Sequence, residues 1–132
     1  ENVFIFNGDT YFDVDLDKMM EYHLQNNAEL TVATKVMNEF DRYGTVEKNQ
    51  NGKIIKFVEK KFNLRGDING GVYLLKSHAL DRMHQEKFSF ETEYMEKFVD
   101  SGRFYAFSST GYFIDIGIPQ DYEKAQEDFK EK

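Results

Sequence analysis

The run Val3-Phe4-Ile5-Phe6, closed at once by Asn7-Gly8-Asp9-Thr10, constrains the fold of this chain more than any other stretch. A short unbroken run of β-branched and aromatic residues ended by a turn signal reads as a strand buried on both faces, the kind found in parallel sheets of α/β proteins. Gly8 permits a tight turn or the close approach of a ligand, and Asp9 is left at the carboxyl end of the strand, where open α/β sheets keep their ligand crevice. A carboxylate there suits a hard cation. The same residues also suit an ordinary Asx turn. Because a parallel strand needs neighbours joined by long crossovers, a strand of this kind directly after Glu1 reads as the later part of a longer protein.

At 132 residues, with 40% hydrophobic and 16% aromatic content, the chain predicts a single domain over 1–132 with a real core. Its formal net charge of −7 lacks the electrostatic footprint of a nucleic-acid binder. Without cysteine there is no disulfide framework, thiolate zinc site or cysteine nucleophile, which fits a reducing cytoplasm. No apolar run approaches the roughly 20 residues of a membrane span. We therefore expect a soluble cytoplasmic protein with neither nucleic-acid nor membrane partners.

Beyond Asp9, the aspartates Asp13, Asp15 and Asp17 precede Leu16, Met19, Met20, His23 and Leu24, whose spacing predicts an amphipathic helix with acidic capping at its amino end. The alternating aspartates lack the glycine and closing glutamate of a calcium loop. His23 lies on the apolar stripe, where a packing role is expected. Asn26-Asn27 ends the helix. Leu30 to Val36 is β-branched and predicts a strand; a loop follows from Asn38 to Arg42. The runs at 43–47 and 53–60 flank Asn51-Gly52, the signal of a hairpin, so the sheet is mixed.

After a polar loop, Asp67 to Leu75 predicts a strand interrupted by Asn69-Gly70-Gly71, where the glycines mark a bulge or the approach of a ligand. Short helices are expected at 77–83 and 91–99, a strand at 103–108, and a last helix opening at Pro119 and running to about Lys130. Between them, Asp115 follows Tyr112-Phe113-Ile114 and nearly abuts Gly117.

Asp9 and Asp115 are thus two carboxylates set in apolar sequence beside glycines, and a buried carboxylate needs a cation, a donor or a water path. One Mg²⁺ shared between them and substrate phosphates would satisfy both, with Lys60 as a point charge for a second phosphate. Spacing alone leaves open whether these three meet.

Taken in order, Asn7-Gly8-Asp9-Thr10, Arg42-Tyr43-Gly44-Thr45-Val46, Phe57-Val58-Glu59-Lys60, Ile68-Asn69-Gly70-Gly71-Val72-Tyr73 and Phe113 to Pro119 closely resemble the sugar-1-phosphate nucleotidyltransferases, or nucleotide-sugar pyrophosphorylases. Within that family the chain is most similar to guanylyltransferases acting on mannose 1-phosphate or D-glycero-D-manno-heptose 1-phosphate. The resemblance implies a partial Rossmann-like nucleotidyltransferase fold, α/β, with a mixed and mainly parallel sheet, flanking helices and a β-hairpin. It also implies transfer of a nucleotidyl group from a nucleoside triphosphate to a sugar 1-phosphate, releasing pyrophosphate, in the making of nucleotide sugars for cell-surface polysaccharide.

By the same resemblance Asp9 and Asp115 match the Mg²⁺ ligands. Lys60 matches the lysine on the sugar phosphate and Glu59 the acid that accepts sugar hydroxyls; Gly44 and Asn69 match sugar-contacting positions, and Gly70 allows close approach. The family's proline after the lysine is replaced here by Lys61. Its glycine-rich amino-terminal signature, which cradles the triphosphate and base, has no counterpart, so little or no turnover is expected of these 132 residues by themselves. A non-catalytic sugar-phosphate-binding or regulatory module is the alternative. A sheet lacking its first strands leaves an edge that invites self-association.

Overall fold

The computed structural model describes residues 2–6, 10–40, 43–58, 61–82, 95, 98–99 and 103–115, with backbone only at 80–82 and 115. Its elements are β1 (Asn2–Phe6), β2 (Thr10–Phe12), α1 (Leu16–Gln25), β3 (Leu30–Phe40), β4 (Thr45–Lys48), β5 (Ile54–Val58), β6 (Asn63–Lys76), a 3-10 helix (Ser77–Arg82), β7 (Phe104–Ser108) and β8 (Phe113–Asp115). The expected helices at 91–99 and beyond Pro119 lie largely or wholly outside the described residues. Among those described, no helix is long and apolar enough to cross a membrane.

The main sheet has the order β5-β4-β6-β3-β7, with β1 also paired to β6. It is mixed, as expected, but among the described strands its parallel share is smaller than the sequence suggested: β3 and β7 run parallel, whereas β1–β6, β3–β6, β4–β5 and β4–β6 are antiparallel. The reason is the central place of β6, which turns back against every strand it touches. β1 likewise departs from the fully buried parallel strand read from its sequence. It pairs antiparallel to β6, and Val3 (36%) and Phe6 (58%) are exposed. The apolar run specifies a strand, but neither its full burial nor the direction of its partner.

β6 is 14 residues long because it serves two neighbours on one edge. Its second half, Val72 to Lys76, carries β1, and β4 joins further back through Thr45 opposite Ile68. β3 runs along the other edge from Leu30 to Phe40, through the region where a loop was expected at Asn38. There Asn38 pairs with Arg65 and Phe40 with Asn63, so β6 also begins earlier than its polar sequence suggests. Ladder pairing has overridden local propensity in this arm.

Helix α1 forms as its pattern dictates. The Asp15 carboxylate accepts from the Lys18 amide (3.1 Å), Asp17 sits in the first turn, and Asn27 leaves the helix at φ 48°. Arg103, just before β7, donates to the carbonyls of Asn26 (2.6 Å) and Asn27 (2.9 Å), closing the helix end against the sheet.

Side chains pack on both faces of the sheet. One cluster joins Leu30, Val32, Tyr73, Leu75, Phe104 and Ile54 with Met95 and Val99; the other joins Phe12, Met19, Ala33, Val72 and Leu74 under α1. The hairpin β4–β5 is fastened by its turn. Asn49 Oδ1 accepts from Asn51 N and Lys53 N, Gly52 takes φ 85°, and the Gly52 carbonyl accepts from Ala106 N of β7 at 2.9 Å.

Candidate functional site

A notch in the β1/β4 edge of β6 is the structural centre of the candidate site. β1 leaves the ladder at Phe6 opposite Val72, and β4 enters it at Thr45 opposite Ile68. Among the described residues, Asn69-Gly70-Gly71 therefore faces no strand on that edge, although the Asn69 amide still reaches the Gly44 carbonyl (3.1 Å). On the β3 side the ladder slips: Val32 pairs with Tyr73 but Thr34 with Asn69, so Ala33 alone spans Gly70 to Val72. This is the bulge signalled by the glycines. Gly71 adopts φ 79°, and the Asn69 side-chain oxygen accepts from the Gly71 amide at 2.9 Å.

Gly70 is glycine for a reason within the protein. A Cβ at this position would stand 2.5 Å from Phe12 Cε2 and 2.9 Å from the Ala33 carbonyl. The Phe12 ring therefore occupies the space beside its Cα. Gly44 is similarly close-set, its missing Cβ 3.1 Å from the Val58 carbonyl. Glu59 and Lys60 lie outside the described residues, but Val58, which precedes them, is thus at the notch.

Over the notch lies a separate two-stranded ribbon, β2–β8, which pairs Thr10 with Asp115, Tyr11 with Ile114 and Phe12 with Phe113. Asp9 is outside the described residues; its chain neighbour Thr10 is the residue opposite Asp115. Aromatic rings seat this ribbon. Phe12 meets Phe113 edge-on at 5.6 Å between centroids, and Phe113 meets Tyr43, just before Gly44, edge-on at 5.4 Å. Such aromatic pairs stabilise beyond their buried area and fix relative orientation.

The structure thus brings Gly44, Asn69 and Gly70 together and sets the Asp115 backbone on the ribbon with Phe12 and Phe113. Sequence reading missed Tyr43, Phe12 and Phe113 as the parts that join ribbon to notch. Their signal was their position one to three residues from a glycine or aspartate already singled out.

His23 is fully buried and links three elements. Its Nδ1 lies 2.8 Å from Thr31 Oγ1, and its Nε2 lies 2.9 Å from Asn2 Oδ1. Since the Asn2 oxygen accepts, Nε2 carries the proton and Nδ1 accepts from the Thr31 hydroxyl. Burial, with the Lys76 charge adding to it, lowers its pKa to about 4. It is a neutral structural histidine, as its place on the apolar stripe led us to expect.

A mixed sheet whose long strand β6 is notched at Asn69-Gly70-Gly71, with the β2–β8 ribbon packed beside it through Phe12 and Phe113, is an α/β arrangement. The chain belongs to the nucleotidyl transferase family, whose model matches residues 1–132. It is 50% identical over 131 residues to a D-glycero-alpha-D-manno-heptose 1-phosphate guanylyltransferase of Aneurinibacillus thermoaerophilus, covering 98% of this chain and 56% of that protein. The enzyme of that name from Campylobacter jejuni is 44% identical over 120 residues, covering 90% and 52%.

A probable mannose-1-phosphate guanylyltransferase of Arabidopsis thaliana is 33% identical, covering 93% and 38%. Among solved structures, HddC from Yersinia pseudotuberculosis superposes with a TM-score of 0.86 at 37% identity, over 97% of this chain and 55% of that one. The same protein complexed with GMP-PN gives 0.85. The chain therefore spans about half the length of the heptose enzymes it matches.

Proposed function

We propose that this chain is the sugar-phosphate- and metal-binding part of a guanylyltransferase that makes GDP-heptose or GDP-mannose from a sugar 1-phosphate and GTP. The observation that carries this reading is the family match over all 132 residues, with 50% identity to a heptose 1-phosphate guanylyltransferase. In the reaction an oxygen of the sugar 1-phosphate attacks the α-phosphorus of the triphosphate. A new P–O bond forms while the bond to the bridging oxygen breaks, and pyrophosphate leaves with that electron pair. Such chemistry asks a protein for positioning and charge neutralisation.

Asp9 and Asp115 are the residues that would hold Mg²⁺. Two carboxylates form the hard oxygen donor set this ion takes beside substrate phosphates, and the register of Thr10 with Asp115 supports their joint use. Bound there, Mg²⁺ supplies positive charge to the phosphate oxygens. Lys60 is the point charge for the sugar phosphate. Glu59 accepts sugar hydroxyls, the notch backbone at Gly44 and Asn69 bounds the sugar, and Gly70 keeps the floor of the notch low.

The test is calorimetric titration of the chain with heptose 1-phosphate and mannose 1-phosphate, with and without Mg²⁺, repeated with Lys60→Ala and Asp115→Asn. Saturable, Mg²⁺-dependent binding weakened at least about tenfold by either substitution is expected, the scale of one lost charge-assisted contact. A folded chain that binds neither sugar phosphate in Mg²⁺ would overturn the reading. Equal binding without the metal would overturn the roles of Asp9 and Asp115.

A further inference from the structure

Among the described residues the β2–β8 ribbon shares no ladder with the main sheet, and a two-stranded ribbon of three residue pairs does not hold a position in water by itself. Its seat must come from other contacts. The aromatic contacts of Phe12 and Phe113 supply its middle. They hold the rings edge-on, but they join ring to ring and tie no backbone of the ribbon to the sheet. Directional contacts are found at the base. Lys35, on β3, extends its ammonium to the Gly111 carbonyl at 2.7 Å, bridging 76 residues of chain.

Three further features mark the base as a built junction. Ser109 N donates to the Thr34 carbonyl (2.9 Å), next to Lys35, and Asp13 N donates to the Tyr112 carbonyl (2.8 Å), extending the ribbon by one rung. Gly111 passes so close to Asp13 that a Cβ there would lie 2.9 Å from the Asp13 carbonyl carbon and nearer still to its oxygen. The ribbon is therefore clamped at Gly111 and carries Thr10 and Asp115 at its opposite end.

We propose that Lys35 is a positioning residue: its bond to the Gly111 carbonyl sets where the β2–β8 ribbon sits over the notch, and through it the place of Asp115. The role at Asp115 rests on the metal-binding reading above; the clamp itself does not. An ammonium on a partly buried carbonyl is a charge-assisted bond, stronger than a neutral one and defined in direction. Two rungs, Phe12–Phe113 and Tyr11–Ile114, separate the clamped Asp13–Tyr112 pair from Thr10–Asp115, so a swing at the base is carried along the ribbon to the aspartate.

The test compares the 132-residue chain with Lys35→Met, which keeps an unbranched side chain one atom shorter and removes the donor, and Lys35→Arg, which restores a donor. Amide hydrogen exchange is read at Asp13, whose amide bonds Tyr112, and at Lys76, whose amide bonds the Glu29 carbonyl (2.9 Å) on the main sheet. In the methionine variant Asp13 protection should fall about tenfold or more while Lys76 holds, and arginine should restore most of it. The Asp115 amide is then followed by NMR during titration with Mg²⁺ in the presence of mannose 1-phosphate. Its midpoint should move several-fold higher in Lys35→Met and return in Lys35→Arg.

Unchanged Asp13 protection in Lys35→Met, or equal loss at Asp13 and Lys76, would overturn the positioning role. An unmoved Mg²⁺ midpoint alongside selective loss at Asp13 would overturn the link to Asp115. A wild-type chain whose Asp115 amide ignores Mg²⁺ would overturn the metal reading instead, and the exchange contrast would still decide the clamp.

Discussion

Replacing Gly70 by alanine separates two reasons for a glycine at the floor of the notch. The added Cβ would stand 2.5 Å from Phe12 Cε2 and 2.9 Å from the Ala33 carbonyl oxygen, where carbon atoms rest about 3.5–4.0 Å apart. The phenyl ring would have to retreat by about 1 Å or more. It has little room to do so, being 7% exposed and held edge-on against Phe113. Positive φ among the described glycines occurs at Gly52 and Gly71, so at Gly70 the backbone tolerates alanine.

The cost of Gly70→Ala is therefore steric, of the overpacking kind, about 1–3 kcal/mol, offset by about 0.4–1 kcal/mol from the stiffer unfolded chain. We expect a net loss of about 1–2 kcal/mol. Phe12→Ala alone should cost about 3 kcal/mol or more. With the ring gone, most of the penalty at Gly70 disappears, leaving the contact with the Ala33 carbonyl. The double variant should thus be more stable than the sum of the two changes by about 1–2 kcal/mol. Urea unfolding of the four proteins by circular dichroism measures this coupling. Additivity within about 0.5 kcal/mol would refute the reasoning, and a Gly70→Ala protein of full stability that has lost sugar-phosphate binding would assign the glycine to ligand approach alone.

Two other outcomes follow from the packing. The His23 pKa of about 4 lies below its unfolded value near 6.5, so between those values the unfolded chain takes up a proton that the folded one refuses. Stability should fall as pH drops from about 6.5 to 4, by about 3 kcal/mol from this residue, and His23→Gln should remove that part of the slope in urea titrations at several pH values. At the hairpin, Gly52→Ala must both hold φ 85° and displace the Tyr22 hydroxyl. A loss of about 1–3 kcal/mol is expected, read as a Tm lowered by several degrees. Tyr22→Phe should restore part of it, and an unchanged Tm in Gly52→Ala would contradict the contact.

Much of the local structure was legible. Asp15 as helix cap, Asn26-Asn27 as its stop, and Asn51-Gly52 as the hairpin turn each act through contacts within a few residues, so their signals are complete in the sequence. The bulge at Asn69-Gly71 was legible as well, because glycines there left few regular options. Less legible was the direction of pairing. Val3 to Phe6 looks the same whether it lies beside a parallel or an antiparallel neighbour, and the arm from Asn38 to Phe40 reads as loop until Asn63 to Arg65 lies against it.

For the site, the residue types were set in the chain and the meeting of elements was not. Asn-Gly-Asp after an apolar strand, Asn-Gly-Gly inside another and an aspartate among bulky residues are chemistry written locally in the chain. That β1 and β4 part around Asn69 to Gly71, that Phe12 fills the space beside Gly70, and that Lys35 reaches Gly111 across 76 residues are results of packing alone. Each depends on atoms far apart in the chain whose approach is decided by the balance of burial, shape and hydrogen bonding over the whole fold.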